Sequence, residues 1–228
     1  MHIPDGYLGP ATCGFFYAVM LPIWALAAKI VKKTLKNRQV PMLAIGAAFS
    51  FVIMLFDIPL PGGTSAHAVG GVLIAILLGP WAACISITVA LAIQALLFGD
   101  GGITALGANC FNMAFVLPFA GYYIYKLINC KAPLNSKIRV IAAGVAGYLA
   151  VTLAALFAGI QLGVQLLLHP SGSGQAVYFP YGLKVALSTM LGGHLLAIGW
   201  VEAVVTGLVI KYLQKYSAKL FAESPGNL

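Results

Sequence analysis

The feature of this sequence that most limits its fold is a succession of long apolar stretches separated by short polar turns. The stretches at residues 14–35 and 81–98 are each about as long as the roughly 20 residues that a helix needs to cross a bilayer, and the stretch at 183–213 is longer. Charged residues make up only 8% of the chain, against roughly 25% in a typical soluble domain. Because a soluble fold cannot bury this much apolar surface, the sequence predicts an all-α integral membrane protein.

Breaker residues and basic clusters divide the chain into seven predicted transmembrane helices. Their approximate spans are residues 14–35, 40–58, 68–78, 81–98, 103–128, 138–168 and 183–213. The third is short, and the sixth is long enough that it must tilt or leave the membrane early. We expect a single membrane domain over residues 1–228, made of an N-terminal segment (1–13), a seven-helix bundle (14–213) and a tail (214–228).

The distribution of Lys and Arg predicts the orientation. Twelve of the thirteen basic residues lie after helix 1, between helices 5 and 6, or after helix 7, and only Lys184 does not. With seven spans these regions share one face, so the positive-inside rule puts the N-terminus outside and the C-terminal tail in the cytoplasm. The net charge of +8 is therefore a signature of membrane topology and predicts no nucleic-acid partner. The first apolar run lacks a basic flank before it, which predicts no cleavable signal peptide.

Position 2 allows a chelate that other positions cannot form. One metal ion can bind three nitrogens there: the Met1 amine, the His2 amide nitrogen and His2 Nδ1. The two chelate rings that they form with the metal are unstrained and share a plane. A fourth nitrogen from elsewhere completes a square-planar set of ligands. His67 follows a Pro-Gly-Gly turn on the same predicted face and is the natural fourth donor. Square-planar nitrogen coordination suits Ni²⁺ and Cu²⁺. Taken alone, His2 is also compatible with a solvated terminus and His67 with a helix cap.

Three separated motifs resemble the CbiM/NikM family, the substrate-binding (S) components of energy-coupling-factor importers for nickel and cobalt. They are MHIPDGYL at residues 1–8, PGGTSAH at 61–67 and GANCFNM at 107–113. The resemblance implies that the N-terminal segment dips into the helical body. It also implies that Met1, His2 and His67 bind Ni²⁺, or else Co²⁺, at the outer face as the transported substrate, with no cofactor.

The same resemblance implies partners and a location. A transmembrane coupling (T) subunit and two cytoplasmic ATPase subunits are expected, with room for a small accessory membrane subunit, in the cell membrane of a prokaryote. The chain has no G-x-x-x-x-G-K-[ST] loop, so we expect a binding and transport subunit, not an enzyme, with ATP hydrolysis by its partners. Because metal binding displaces protons from the amine, the amide and the imidazoles, affinity is expected to fall steeply below about pH 8.

Several other small or polar side chains have two interpretations each. Asn109 and Asn112 share a helix face and either orient the metal site or join helices, and Ser65 is a weaker candidate for the first role. Ala44 and Ala48 form a small-residue ridge. Such ridges usually serve internal packing, but relatives of the resembled family use them to dock the coupling subunit.

The alternative function is a proton- or sodium-coupled secondary transporter that uses Glu202 and His194 inside the membrane. The predicted topology places Glu202 in the inner half, away from an outer-face metal, which favours a structural hydrogen bond. An intramembrane hydrolase is excluded, because neither H-E-x-x-H nor G-x-S-x-G occurs. The four scattered cysteines are predicted to be buried small apolar residues; they are Cys13, Cys84, Cys110 and Cys130.

Overall fold

The computed structural model describes residues 1–35, 40–129, 132–170 and 176–226, and most of these residues are helical. The predicted basic residues Lys36, Arg38 and Lys131 and the predicted buried Cys130 lie outside them. The described α-helices are α1 (Pro10–Thr34), α2 (Val40–Met54), α3 (Gly71–Leu78), α4 (Pro80–Ile93), α5 (Leu106–Cys110), α6 (Leu117–Asn129), α7 (Lys137–Gly163), α8 (Gln165–Leu168), α9 (Leu183–Gly193), α10 (Gly199–Tyr216) and α11 (Ala218–Ala222).

The prediction of a membrane protein is confirmed at the level of helix length and composition. Four continuous helical segments are long and apolar enough to cross a bilayer, and α2 is a shorter apolar helix. The four segments are Pro10–Thr34, Pro80–Phe98, Lys137–Leu168 and Leu183–Tyr216. Many large apolar side chains on these helices are exposed on the protein surface, among them Leu196 and Leu208, as expected where lipid is the solvent.

The predicted end of helix 2 is wrong, and the mostly helical chain also contains a short β-hairpin. α2 ends at Met54, and the breaker-rich stretch that follows forms an antiparallel hairpin of β1 (Ile58–Leu60) and β2 (Thr64–Ala66). The positive φ angles of Gly62 and Gly63 allow the tight reversal between the strands.

Three helices contain a π-helical turn, in which the wider backbone spacing re-aims the side chains. The turns are Gln94–Phe98 after α4, Phe111–Val116 between α5 and α6, and His194–Ile198 between α9 and α10. Each turn carries a buried polar residue, namely Gln94, Asn112 and His194. Turns of this kind occur often at functional sites.

Predicted helix 6 corresponds to the continuous helical segment Lys137–Leu168, which has a small irregularity near its end. α7 stops at Gly163, and the short α8 continues after Val164. The predicted helix 5 starts at Leu106 instead of residue 103, because residues 99–105 form a loop that contacts the N-terminal segment.

α3 is a core helix. Every one of its residues except Leu77 is buried, and it packs against α4 and α6. A helix that is apolar on all sides requires such burial. The four residues before it, 67–70, are not helical although they are buried.

Residues 1–9 form a non-helical segment that inserts among the helices. This segment is shorter than the predicted 1–13, because the first helix begins earlier than residue 14. α1 begins at Pro10. Met1 and Ile3 are each only 1% exposed, and burying side chains of this size contributes roughly 1.5–3 kcal/mol each. Phe179 N–H donates to Tyr7 O (3.1 Å), which joins the segment to the loop before α9.

Candidate metal centre

The N-terminal segment is held at both the main chain and the side chains. Asn109 accepts a hydrogen bond from Ile3 N (2.9 Å) and donates one to Ile3 O (3.1 Å). Gly102 N–H donates to the same Ile3 oxygen (2.9 Å), and the Asp5 carboxylate accepts from the backbone N–H groups of Ile103 and Thr104. This clamp fixes the backbone on either side of residue 2. It also explains Gly102, because a Cβ there would meet Asp5 N at 2.5 Å.

The Met1 amine points into the protein. It donates to Ser65 Oγ at 2.8 Å, and Ser65 lies on β2. The hairpin therefore brings Ser65 to the amine and His67, which follows the strand, to the side chain of residue 2.

The His2 ring has the tautomer that a chelate through Nδ1 requires. His2 Nε2 donates to Gln94 Oε1 (3.2 Å), which leaves the lone pair on Nδ1. Nδ1 lies 3.2 Å from Asp100 Oδ1, but it makes no hydrogen bond of acceptable geometry. His2 is 6% exposed, so Nδ1 is a buried nitrogen whose lone pair has no hydrogen-bond partner.

His67 meets His2 ring against ring. The two ring centroids are 4.5 Å apart and the planes are inclined by 26°. His67 Nδ1 donates to Ala68 O (3.1 Å), so the lone pair is on Nε2, which is buried and unpartnered. An unsatisfied buried nitrogen is costly in a folded protein and calls for an explanation. Two of them at neighbouring imidazoles, beside a buried amine, form a set of donor atoms for a metal ion.

Burial keeps these nitrogens neutral. It lowers the pKa of the Met1 amine from its ordinary 8.0 to about 5, although the charges of Asp57 and Asp100 act in the opposite direction. Burial and then the charge of the amine lower the pKa of His2 to about 3 and that of His67 well below its ordinary value. Since metal ligands must be deprotonated, the arrangement favours the metal over the proton.

The structure separates the two predicted asparagines. Asn109 clamps the N-terminal segment, whereas Asn112 forms a reciprocal pair of hydrogen bonds with Gln161 of α7, both 2.8 Å long. Asn112 therefore joins two helices and does not touch residues 1–3. Ala44 and Ala48 are both exposed on α2, so this ridge is not used for packing within the chain.

Glu202 lies closer to the site than the predicted topology suggested. Its Oε2 accepts hydrogen bonds from Val69 N (2.8 Å) and Gly70 N (3.0 Å), in the non-helical stretch that follows His67. Gly70 has φ +71°, and a Cβ there would collide with the Phe49 ring. The prediction of a structural hydrogen bond for Glu202 is confirmed. His194 donates through Nδ1 to Met190 O (2.7 Å), and its Nε2 is buried without a partner.

Sequence reasoning missed Gln94, Asp5 and Gln165. Gln94 fixes the His2 tautomer, Asp5 fastens the segment to the loop, and Gln165 Oε1 accepts from Gly9 N (2.9 Å). The signal for Gln94 was an amide inside an otherwise apolar helix. In the described part of the chain, no group of three or more His, Cys, Asp or Glu side chains could hold a metal.

The sequence was then compared with known proteins. A family model described as CbiM, the cobalt uptake substrate-specific transmembrane region, matches residues 2–220. The chain belongs to the CbiM family. Membership covers both the N-terminal segment and the helices that surround it.

Relatives of this CbiM-family chain include separate and fused transport proteins. A putative metal transport protein of Methanocaldococcus jannaschii is 49% identical over 97% of this chain and 95% of the relative. A probable fused nickel transport protein, LarMN, of Lactiplantibacillus plantarum is 47% identical over 99% of this chain but 68% of the relative. A fused nickel transport protein, NikMN, of Rhodobacter capsulatus is 47% identical over 97% of this chain and 64% of the relative.

Two crystal structures share the fold of this CbiM-family chain. One, described as a truncated transition metal transporter, has a TM-score of 0.90 and 53% identity and covers 95% of this chain and 99% of its own. The other, a transition metal transporter, has a TM-score of 0.90 and 52% identity over 98% of both chains. At these identities the likeness extends to the sequence as well as to the fold.

Proposed function

We propose that this chain is the substrate-specific component of an ATP-driven transition-metal importer and that it captures Ni²⁺, or else Co²⁺, at the outer membrane face. The ion is the transported substrate and is held by four nitrogens. They are the Met1 amine, the His2 amide, His2 Nδ1 and His67 Nε2. The nickel and cobalt transport named for the relatives and for the family supports this substrate class.

One observation carries the proposal. A buried N-terminal amine and two buried imidazoles with unpartnered nitrogens meet in a single place, with the histidine rings 4.5 Å apart. No ordinary packing requirement explains this, because each open lone pair costs stability until something fills it. A metal ion that replaces the proton of the His2 amide would bind the amine and both open imidazole nitrogens as well. A planar set of four nitrogens favours Ni²⁺ over Co²⁺.

The membrane topology belongs to the same proposal, with seven crossings, the N-terminus outside and the C-terminus in the cytoplasm. The short α3 is the critical element, because eight helical residues span only roughly 12 Å. The four non-helical residues 67–70 lengthen this path towards the hydrocarbon thickness of roughly 30 Å. Irregular backbone at membrane depth must be satisfied by protein groups. Glu202 and Ser50 do this at Val69 and Gly70.

Transport requires partners in this proposal. A transmembrane coupling subunit and two cytoplasmic ATPase subunits supply the energy, and the exposed Ala44 and Ala48 ridge of α2 is the candidate docking face for the coupling subunit. The fused relatives are longer than this chain by about a third of their own length. A small accessory membrane subunit is the counterpart that we propose for that portion. The complex resides in the cell membrane of a prokaryote.

Nickel binding tests the ligand set. The protein should be purified in detergent, with Met1 verified as the free first residue by mass spectrometry, and titrated with Ni²⁺ and Co²⁺ by calorimetry. We expect a single Ni²⁺ site that is diamagnetic and has the absorption of a square-planar nitrogen complex. His169→Ala is the matched control, because that ring packs on Tyr178. An octahedral, oxygen-rich spectrum would show that the ligand set is wrong.

Cysteine labelling tests the topology. A cysteine near Thr64, at the exposed position Pro61 of the hairpin turn, should react with a membrane-impermeant reagent in intact cells. A cysteine at Asn135, in the loop before α7, should react only after permeabilisation. The reverse pattern would overturn the orientation. Metal uptake that persists without any ATPase partner would instead favour the secondary transporter based on Glu202 and His194.

A further inference from the structure

A basic depression lies between the start of α7 and the end of α10, far along the chain from the metal centre. Lys137, Lys211 and Lys215 line it, and it encloses about 630 Å³. Lys211 and Lys215 are one helical turn apart and therefore share a face. Gln214 Nε2 donates to Leu134 O (2.7 Å) and Ser136 O (3.2 Å), which holds the end of α10 against the loop that leads to Lys137. The three lysines therefore line one depression whose backbone is held in place, and the Lys215 ammonium lies 4.9 Å from the centroid of the Tyr216 ring.

No acidic side chain in the described part of the chain neutralises these lysines. The five acids of the sequence have other positions. Asp5 belongs to the N-terminal segment, Asp100 lies beside His2, and Asp57 precedes β1. Glu202 accepts hydrogen bonds from Val69 and Gly70. Glu223 lines a separate depression beside Lys219. All three lysines are exposed, and no carboxylate lines the depression. The site therefore offers concentrated positive charge to an external anion.

The depression continues into an apolar groove along the same two helices. Ile141 lines both parts, and the groove encloses about 480 Å³. At the floor of the groove the two helices pack closely through small residues. A Cβ on Gly144 of α7 would lie only 3.3 Å from Ala203 O of α10. Trp200 lines the groove and packs edge-on against Tyr148, with ring centroids 5.1 Å apart.

The length of the groove matches one leaflet. Trp200 and Lys211 are both on α10, and eleven residues of helix rise roughly 16 Å, about half of a hydrocarbon core of roughly 30 Å. We propose that the cleft between α7 and α10 binds an anionic phospholipid, with its phosphate headgroup among Lys137, Lys211 and Lys215 and an acyl chain in the groove beside Gly144, Ala203 and Trp200. Basic pockets between transmembrane helices bind such headgroups. The inference requires only that the protein is embedded in a membrane and does not depend on the metal site.

Trp200 provides a local test. In a Trp24→Phe/Trp81→Phe background it is the remaining tryptophan, and lipid brominated at mid-chain quenches its fluorescence when an acyl chain occupies the groove. The protein should be reconstituted in phosphatidylcholine vesicles that contain a minor fraction of brominated phosphatidylglycerol or brominated phosphatidylcholine. We expect several-fold stronger quenching by the anionic lipid at equal mole fraction.

Matched variants separate a built site from general attraction. Lys137→Gln/Lys211→Gln/Lys215→Gln should abolish the preference for the anionic lipid, whereas Lys29→Gln/Lys32→Gln/Lys33→Gln, with the same charge change on exposed residues of α1, should retain it. A preference that survives the first triple variant, or is lost equally in both, overturns the proposal. Circular dichroism and thermal unfolding of each variant in detergent verify the fold.

Two further arms test the apolar part. Ala203→Leu fills the half-buried floor of the groove and keeps all three lysines, so it should reduce the quenching several-fold. Water-soluble glycerol phosphate should not relieve the quenching. Unchanged quenching in Ala203→Leu, or relief by glycerol phosphate, would show that the groove does not hold an acyl chain and would overturn the lipid assignment.

Discussion

The two ends of this bundle use polar residues in opposite ways. At the end that carries residues 1–9, the polar atoms are buried, and distant segments meet there through main-chain hydrogen bonds. At the end that carries Lys137 and Lys211, the lysines of α7 and α10 are exposed and lie near the helix ends. The first arrangement creates selective donor geometry at the cost of desolvation. The second provides orientation and attraction, for which approximate positions suffice. Changes of one atom should therefore matter greatly at the first end and little at the second.

The largest effect is expected from the covalent state of the N-terminus. One extra residue before Met1 converts the amine into an amide and shifts His2 out of chelate register, and the buried amine site beside Ser65 has no room for it. We expect nickel binding to fall below detection in calorimetry. The same single-residue addition after Leu228 is the control and should leave binding unchanged.

Mass spectrometry must show that the added residue is retained in the purified protein. If such a protein binds nickel like the native chain, the metal is bound by side chains alone and the proposed ligand set fails. His67 and His194 would then be the first residues to examine, since both have an unpartnered buried nitrogen.

The next effect compares two similar histidines. His67 and His194 are both buried, and each donates through Nδ1 to a main-chain oxygen and leaves Nε2 open. Only His67 stacks on His2. We expect His67→Ala to abolish square-planar nickel binding and His194→Ala to retain the spectrum. The absorption spectrum and the magnetic state, measured on both variants, decide this. Equal losses would place His194 among the ligands.

Much of the helical architecture could be predicted, because apolar length and breaker residues are local signals. The end of α4 near Gly99 and the reversal at residues 61–63 both follow from such signals. The juxtaposition of Met1, His2 and His67 could also be anticipated, since the ring sizes of the chelate depend only on covalent geometry.

The rest depends on contacts between residues far apart in sequence. Glu202 was placed in the inner half from its position along predicted helix 7, and the sequence does not show that the non-helical residues Val69 and Gly70 donate their N–H groups to its carboxylate. Asn109 and Asn112 have the same residue type and share a helix face, but Asn112 lies in the π-helical turn that begins at Phe111 and Asn109 lies before it, and their partners differ. Gln94 and Gln165 act through tertiary contacts that no local pattern contains.

The two asparagines give the third prediction. Asn109→Ala removes both hydrogen bonds to Ile3 and frees the N-terminal segment, whereas Asn112→Ala breaks only the pair with Gln161. Loss of a group that orients ligands typically costs about 10–100-fold in metal affinity. We expect that loss for Asn109→Ala and near-native affinity, with a lower melting temperature, for Asn112→Ala. Calorimetry and thermal unfolding in detergent, made on both variants, distinguish the roles. The opposite ranking would assign the site to Asn112.

Glu202 gives a smaller expected effect on affinity. Glu202→Leu leaves the N–H groups of Val69 and Gly70 without acceptors inside the protein, and each such orphan costs about 1–3 kcal/mol. We expect a lower melting temperature and a loss in nickel affinity of less than that of Asn109→Ala. Glu202→Gln keeps one carbonyl acceptor, so its melting temperature and its nickel affinity should both be close to those of the native protein. Uptake that is abolished by Glu202→Gln despite normal binding would instead indicate proton coupling.

The last prediction concerns the slope of nickel affinity against pH, which distinguishes an inserted N-terminal segment from a withdrawn one. Burial lowers the pKa of the Met1 amine to about 5 and that of His2 to about 3, so both are neutral between pH 6 and 8 while the segment is inserted. Nickel then displaces mainly the amide proton of His2, and affinity should change by about tenfold per pH unit.

A free protein with the segment outside the bundle would behave differently. Its amine and imidazoles would have their ordinary pKa values of roughly 8 and 6.5, so binding would release more protons and the slope would exceed one between pH 6 and 8. The sequence alone predicts this steeper curve. The withdrawn segment binds more protons than the inserted one, so insertion is favoured as the pH rises from about 5 to 8. Calorimetry in buffers of different ionisation enthalpy counts the protons released. Release of about one proton per nickel ion at pH 7 means that the segment is already inserted before the metal binds. Release of two or more protons means that the segment inserts when the metal binds.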